Sequence, residues 1–271
     1  QPVEFLGRRF AGLLAEARMV LGAYVGSPAD DLVYVPNATV GLNMVARSLP
    51  LGPGDEVLGT DHEYGALDRT WKFICQRRGA RYINQSVPLP VGTADEVVEW
   101  IWAGVTPRTR VLFLSHLSSP TAIIFPIQPL IQRAREAGLI TVVDGAHAPG
   151  QLPLDLQALG VDFYSGNCHK WLCSPKGAGF LYARRAMQHL LEPLVVSWGW
   201  EPENTTLLSL PGAEASPFIL QQEWQGTRDI AAYLSVPAAI RFQAAHDWDR
   251  VRQACHELVR YARQAIGELT G

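Results

Sequence analysis

The sequence predicts an α/β fold: a three-layer sandwich around a mainly parallel sheet of about seven strands. Three observations lead there. Seven short runs rich in apolar, β-branched and aromatic residues recur along the chain, and helix-like periodic segments separate several of them. Such alternation is the pattern of a parallel sheet covered by helices on both faces. Finally, 271 residues suffice to bury one large core, or a large domain with part of a second.

Taken in order, "EFLGRRFAGLLAEARMVLGAYVG" reads as an amphipathic helix that stops near Gly26, with Pro28 just beyond. The strand runs are "LVYV" (32–35), "EVLGT" (56–60), "RYIN" (81–84), "RVLFLS" (110–115), "LITVVD" (139–144), "DFYSG" (162–166) and "GFLYA" (179–183). Between them lie helical patterns such as "VGLNMVARSL", "LDRTWKFICQRRG" and "IQPLIQRAREAG". Residues 196–224 read as a long loop because Pro, Gly and Ser accumulate there. From "AAYLSV" to Gly271 the pattern is helical, and no further β run follows. The expected organisation is an N-terminal helical segment (1–30), a large domain (31–245), and the start of a connecting helix (246–271) toward a smaller C-terminal domain outside the chain. Gln1 stands where a start methionine is expected, as though an N-terminal piece precedes it.

A net charge of −3 carries no basic excess that would suit nucleic acid or an anionic membrane. No apolar run approaches the roughly 18 residues of a membrane span. Cys75, Cys168, Cys173 and Cys255 are too few and too scattered for a disulfide framework or a zinc motif, which points to a reducing, cytoplasmic setting.

The chemistry gathers at strand ends, where parallel sheets place ligands. In "VDFYSGNCHKWLCSPKGAGFLYARR", Lys170 has Tyr164, Cys168, Trp171, Leu172, Cys173 and Phe180 for company, and Gly177 and Gly179 let backbone come close. A lysine in a partly apolar pocket loses hydration, its pKa falls, and the neutral amine becomes a nucleophile. "VVDGAHAPGQ" puts Asp144 at the tip of a buried run, followed by His147. A carboxylate there needs a partner; it can cap the next helix, or hold a protonated ring nitrogen and so stabilise a carbanion. In "PNATVGLNMV", Asn37, Ala38 and Thr39 open a helix and form either a plain N-cap or an anion cradle. His62 and Tyr64, in "TDHEYGA", are rings that can stack on a planar cofactor or simply satisfy hydrogen bonds. "SHLSSPTAIIFP" adds the hydroxyls of Ser115, Ser118, Ser119 and Thr121, which orient a ligand or make a turn. Together these features suit an aromatic aldehyde phosphate held as a Schiff base, pyridoxal 5'-phosphate.

Over about Val3 to Phe242 the chain resembles the class V aminotransferase family of pyridoxal-phosphate enzymes, in its isopenicillin N epimerase-like and cysteine desulfurase-like branch. The motifs that carry the resemblance are Asp144…His147…Asn167-Cys168-His169-Lys170-Trp171, "PNATVGLN", "DHEYGALD" and "WQGTRDIAAYLSVPAAI". The resemblance implies a fold-type I large domain with Lys170, Asp144 and His62 as its catalytic residues. Lys170 would carry the Schiff base and shuttle a proton at the substrate Cα, while Asp144 pairs with the pyridinium nitrogen. His147 would touch the phenolic oxygen, and His62, or Tyr64 in its place, would stack on the ring. Ala38, Thr39, Asn167 and His169 would hold the phosphate, with Ser119 near the cofactor and the substrate carboxylate. Thr227 would reach the phosphate of a neighbouring subunit, which implies a homodimer. Cys168 and Cys173 are expected to pack. The expected reactions are epimerisation or C–S cleavage of an amino acid, with transamination as the alternative. Two arrangements of other classes use the same residues: a metal hydrolase built on Asp144, His147, His62 and His169, and a cofactor-free binding subunit. A nicotinamide fold is excluded because no G-x-G-x-x-G follows the first run.

Overall fold

The computed structural model describes residues 4–200 and 215–270. The seven expected strands form: β1 (Leu32–Val35), β2 (Glu56–Thr60), β3 (Arg81–Gln85), β4 (Thr109–Ser115), β5 (Ile140–Gly145), β6 (Phe163–Asn167) and β7 (Gly179–Ala183). They join one sheet in the order β1-β7-β6-β5-β4-β2-β3. β7 runs antiparallel to β1 and β6 on either side of it, and the remaining pairs are parallel.

The helices are α1 (Phe10–Val25), α2 (Ala38–Ser48), α3 (Gly65–Arg78), α4 (Ala94–Trp102), α5 (Ile127–Glu136), α6 (Leu156–Leu159), α7 (Pro217–Glu223), α8 (Ala231–Leu234), α9 (Val236–Ala245) and α10 (Trp248–Thr270). Alternate strand residues feed two cores. Leu32 and Tyr34 join Leu58, Leu112, Val143 and Tyr164 beneath α1, α4, α5 and α9. Val33 and Val35 join Val57, Phe113 and Phe163 beneath α2, α3 and α7. Strands buried on both faces therefore read as continuous apolar runs.

α1 buries Phe10, Leu14, Ala17, Arg18, Leu21 and Val25, an amphipathic stripe, and ends at Gly26 in the left-handed region (φ 64°). Residues 5–9 before it are wound as a π-helical turn. The described part of the expected 196–224 loop contains a helix, α7. Ser216 caps it, Pro217 opens it, and Phe218 and Ile219 are buried. Its last residue, Glu223, accepts the Tyr34 amide (2.8 Å) and the Arg18 guanidinium (2.6 Å). α7 thereby ties α1 to β1, the outer strand on that side of the sheet, and supplies an acceptor for an edge amide. Residues 201–214 lie outside the described residues.

The helical tail is broken rather than continuous. Pro237 opens α9, and Asp247 (φ 46°) separates α9 from α10. α10 buries none of its residues. Among the described residues no helix is long and apolar enough to cross a membrane.

Candidate functional site

Five strands point their carboxyl ends at one cleft of about 220 Å³. β1 delivers Asn37, Ala38 and Thr39; β2 delivers Tyr64; β4 delivers Ser115, Leu117 and Ser119; β5 delivers Asp144, Ala146 and His147; and β6 delivers Asn167, His169 and Lys170. This is where a parallel sheet places its ligand.

Asp144 pairs in register with Ser115 on one side and Ser165 on the other, which fixes its height in the sheet. Its side chain accepts the Ala146 amide at 2.9 Å, and no other hydrogen bond reaches it among the described residues. Burial raises its pKa to about 6, against the opposing pull of the Ala146 amide and the Lys170 charge. An under-partnered buried carboxyl facing the cleft suits a cationic nitrogen.

Lys170 and His147 meet at 2.9 Å, Nζ to Nε2, and the indole N–H of Trp171 donates to His147 Nδ1 at 3.2 Å. Desolvation lowers the Lys170 pKa while the Asp144 charge raises it, and the net direction is down. Gly150 permits this arrangement, because a Cβ there would overlap the Trp171 carbonyl, and its φ of 87° favours glycine.

At the other end, Asn37 caps α2 by accepting the Val40 amide (3.0 Å). Asn167 Oδ1 accepts the Ala38 amide (2.8 Å). Thr39 is left, among the described residues, with a hydroxyl that makes no hydrogen bond, at the N-terminus of an eleven-residue helix. The donor set therefore fits an anion, but the Ala38 amide is already satisfied, so Thr39 is the open donor and Ala38 and Asn167 shape the cradle. His169 uses Nδ1 on the Ala178 carbonyl (2.9 Å) and lines the cleft.

His62 does not line the cleft. It is buried beneath Phe125 (ring centroids 6.0 Å apart), with Nδ1 on Thr121 Oγ1 (3.1 Å) and Nε2 on the Val87 carbonyl (2.7 Å). Tyr64, half-exposed, is the ring that faces it. The register after β2 decides between the two: α3 begins at Gly65, so Tyr64 occupies the capping turn at the cleft and His62 points behind it. Thr227 is exposed after α7 and is not among this cleft's lining residues. Cys168 packs, buried, and its thiol pKa is raised. Cys173 does not pack; at φ 66° in the turn after Lys170 its side chain is exposed, with Sγ 3.6 Å from the Trp171 carbonyl. Among the described residues no group of three metal-ligating side chains comes together.

Glu63 escaped the sequence reading. It is buried behind Tyr64 and accepts the hydroxyls of Thr60 (2.7 Å) and Ser115 (2.6 Å). Burial, partly offset by those hydroxyls and reinforced by the Asp144 charge, raises its pKa to about 7. Its position between two rings in "DHEYGA" was the available signal.

The family model "Aminotransferase class-V" matches residues 3–271. The chain is 38% identical to an isopenicillin N epimerase of Amycolatopsis lactamdurans, over 100% of this chain and 69% of that protein. It superposes on a cysteine desulfurase of Escherichia coli with a TM-score of 0.80 and 25% identity, over 96% of this chain and 64% of that one. It also superposes on the cystine C–S lyase C-DES with a TM-score of 0.75 and 26% identity, over 86% of this chain and 61% of that one. A variant of C-DES has been solved with glycine covalently linked to its PLP cofactor. The chain thus spans about two thirds of the relatives it matches.

Proposed function

The chain belongs to the class V aminotransferase family of pyridoxal-phosphate enzymes, and from that premise we propose that its cleft acts on the Cα of an amino acid, by epimerisation or by chemistry that leads to C–S cleavage. The observation that carries this is the convergence of Lys170, Asp144 and the α2 N-terminus, from three strand ends, on one cleft. When bound, pyridoxal phosphate supplies an aldehyde for an amine and a ring that delocalises negative charge developed at Cα. Each protein group has a matching task. Lys170 presents an amine whose pKa is lowered, and in that neutral form it removes the Cα proton; return of a proton from Lys170 restores the starting configuration, and epimerisation follows when the proton returns on the opposite face. Asp144, short of partners, holds a protonated ring nitrogen. Thr39 and the α2 dipole take the phosphate. Tyr64 offers the face of its ring, and Ser119 a hydroxyl near the substrate.

Epimerisation is the first choice because the 38%-identical relative bears that name; the similarity to a C–S lyase keeps cleavage as the second. We propose further that two copies share the site, Thr227 of one approaching the phosphate held by the other, and that the protein works in the cytoplasm. The exposed Thr227 and four unpaired cysteines support those readings.

The test is borohydride reduction of the protein loaded with pyridoxal phosphate, followed by peptide mapping. A label on Lys170 is expected, and a label on any other lysine overturns the assignment. Isopenicillin N, followed by chiral analysis, and cystine, followed by assay of released sulfur, then separate the two reactions.

A further inference from the structure

Three side chains in a row decide which hydrogens lie between them. An indole nitrogen is a donor only, and Trp171 Nε1 points at His147 Nδ1 at 3.2 Å. Nδ1 must therefore offer its lone pair. A neutral imidazole that accepts at Nδ1 carries its proton at Nε2. Nε2 in turn lies 2.9 Å from Lys170 Nζ. An N–H at Nε2 needs an acceptor, and of the two states of lysine only the neutral amine has a lone pair to give. The ammonium would place two donors face to face.

From this geometry we propose that Trp171 is a positioning residue: its indole N–H holds His147 in the Nε2–H tautomer, so that His147 donates to the Lys170 amine and offers no lone pair to its ammonium form, which keeps that amine neutral. It rests on Lys170 being the amine of the proposed function, but the tautomer of His147 is a property of this chain alone. The backbone supports the device. Trp171 directly follows Lys170, and its own carbonyl is fixed by Gln243 Nε2 (2.7 Å), whose Oε1 accepts the Tyr24 hydroxyl (2.9 Å). Gln243 is buried, so the turn that carries Lys170 and Trp171 is anchored to α1 and α9. On the facing side, Trp248 Nε1 donates to the Gly150 carbonyl (3.0 Å), steadying the loop that carries His147.

Other titratable groups face the pair. Asp144, at the end of β5, raises the Lys170 pKa. His169 and Tyr64 line the same cleft. Asp144 thus pulls the lysine toward its charged form, and the oriented imidazole opposes it. Desolvation, the larger cause, depresses the His147 pKa, in keeping with a neutral ring.

The experiment has two arms, both on the cofactor-free chain. ¹⁵N NMR of the histidine rings reads the His147 tautomer directly, with His147→Gln assigning its signals. The Nε2–H form is expected, and it should give way to a mixture in Trp171→Phe. The second arm follows reductive methylation of Lys170 by formaldehyde and cyanoborohydride near neutral pH, resolved by peptide mapping. Trp171→Phe should slow it between roughly threefold and tenfold, the equivalent of one ordinary hydrogen bond. In a His147→Gln background, where an amide donates without a tautomer to choose, the Trp171→Phe effect should vanish. An Nδ1–H ring in the unaltered chain overturns the proposal. An equal loss in both backgrounds overturns it too, because Trp171 would then act by packing alone. Neither arm depends on pyridoxal phosphate, so failure here leaves the Lys170 label of the proposed function standing, and failure of that label leaves this arrangement testable.

Discussion

At the residue scale, two buried carboxyls distinguish the cleft. Asp144→Ala should lose Cα–H exchange by about a hundredfold or more while leaving the fold intact, read by solvent deuterium entering the substrate. Glu63 sets a pH dependence. Its folded pKa of about 7 lies above its ordinary 4.5, so the folded protein holds a proton that the unfolded chain has already released. The associated stability is fully present below about pH 4.5 and is lost as pH rises through about 7, by about 3 kcal/mol at most. Asp144, raised to about 6 from 3.8, adds a slope of the same sign in the cofactor-free protein. His116, lowered by burial to about 4 from 6.5, adds a slope of the opposite sign, so the Glu63 share is read as a difference: the change in urea midpoint from pH 5 to pH 8 should be more negative in the unaltered chain than in Glu63→Gln. An unchanged slope in the variant would remove Glu63 as a buried, protonated group. At this scale Lys170 and Asp144 were legible, because a lysine and a carboxylate among apolar neighbours need explaining. His62 and Tyr64 were not told apart, since their difference lies in where a turn points.

At the element scale, the strand runs were legible nearly residue for residue, because burial on both faces leaves an apolar imprint that local sequence carries. α7 was not. Its Pro and Ser serve as a helix start, and its burial depends on Arg18, 205 positions away. That ion pair is buried, with side chains about 6% and 5% exposed. Arg18→Met should destabilise the protein by about 3–5 kcal/mol, since it strands the Glu223 carboxylate. The pair Arg18→Met/Glu223→Gln should recover much of that loss in a urea titration. A single variant as stable as the parent would mean that α7 is held by Phe218 and Ile219 alone.

For the whole molecule, the pieces of the site come from residues 37–39, 64, 115–119, 144–147 and 167–170. Each was visible as a strand end, and their convergence follows from a parallel sheet. What the sequence concealed was competition for partners: Asn167 spends its oxygen on Ala38, and among the described residues the Thr39 hydroxyl is left open. If the cofactor binds the assembled cleft and not the unfolded chain, as proposed above, a hundredfold excess over its dissociation constant should stabilise the fold by about 2.7 kcal/mol. Thermal midpoints with and without pyridoxal phosphate should show this, with a smaller rise in Lys170→Ala.

The reversed direction of β7 has a mechanical outcome. Because β6 and β7 are antiparallel neighbours, the segment that bears Lys170 leaves the sheet at Asn167 and re-enters it at Gly179 on the same rim. Cys168 and His169 both donate to the Ala178 carbonyl, clasping its two roots together. A strap stitched at both roots to adjacent strands cannot swing aside without unpicking the sheet. Tyr64 and Ser119 stand exposed on the opposite bank, and Lys170 stays put as the fixed anvil that faces them.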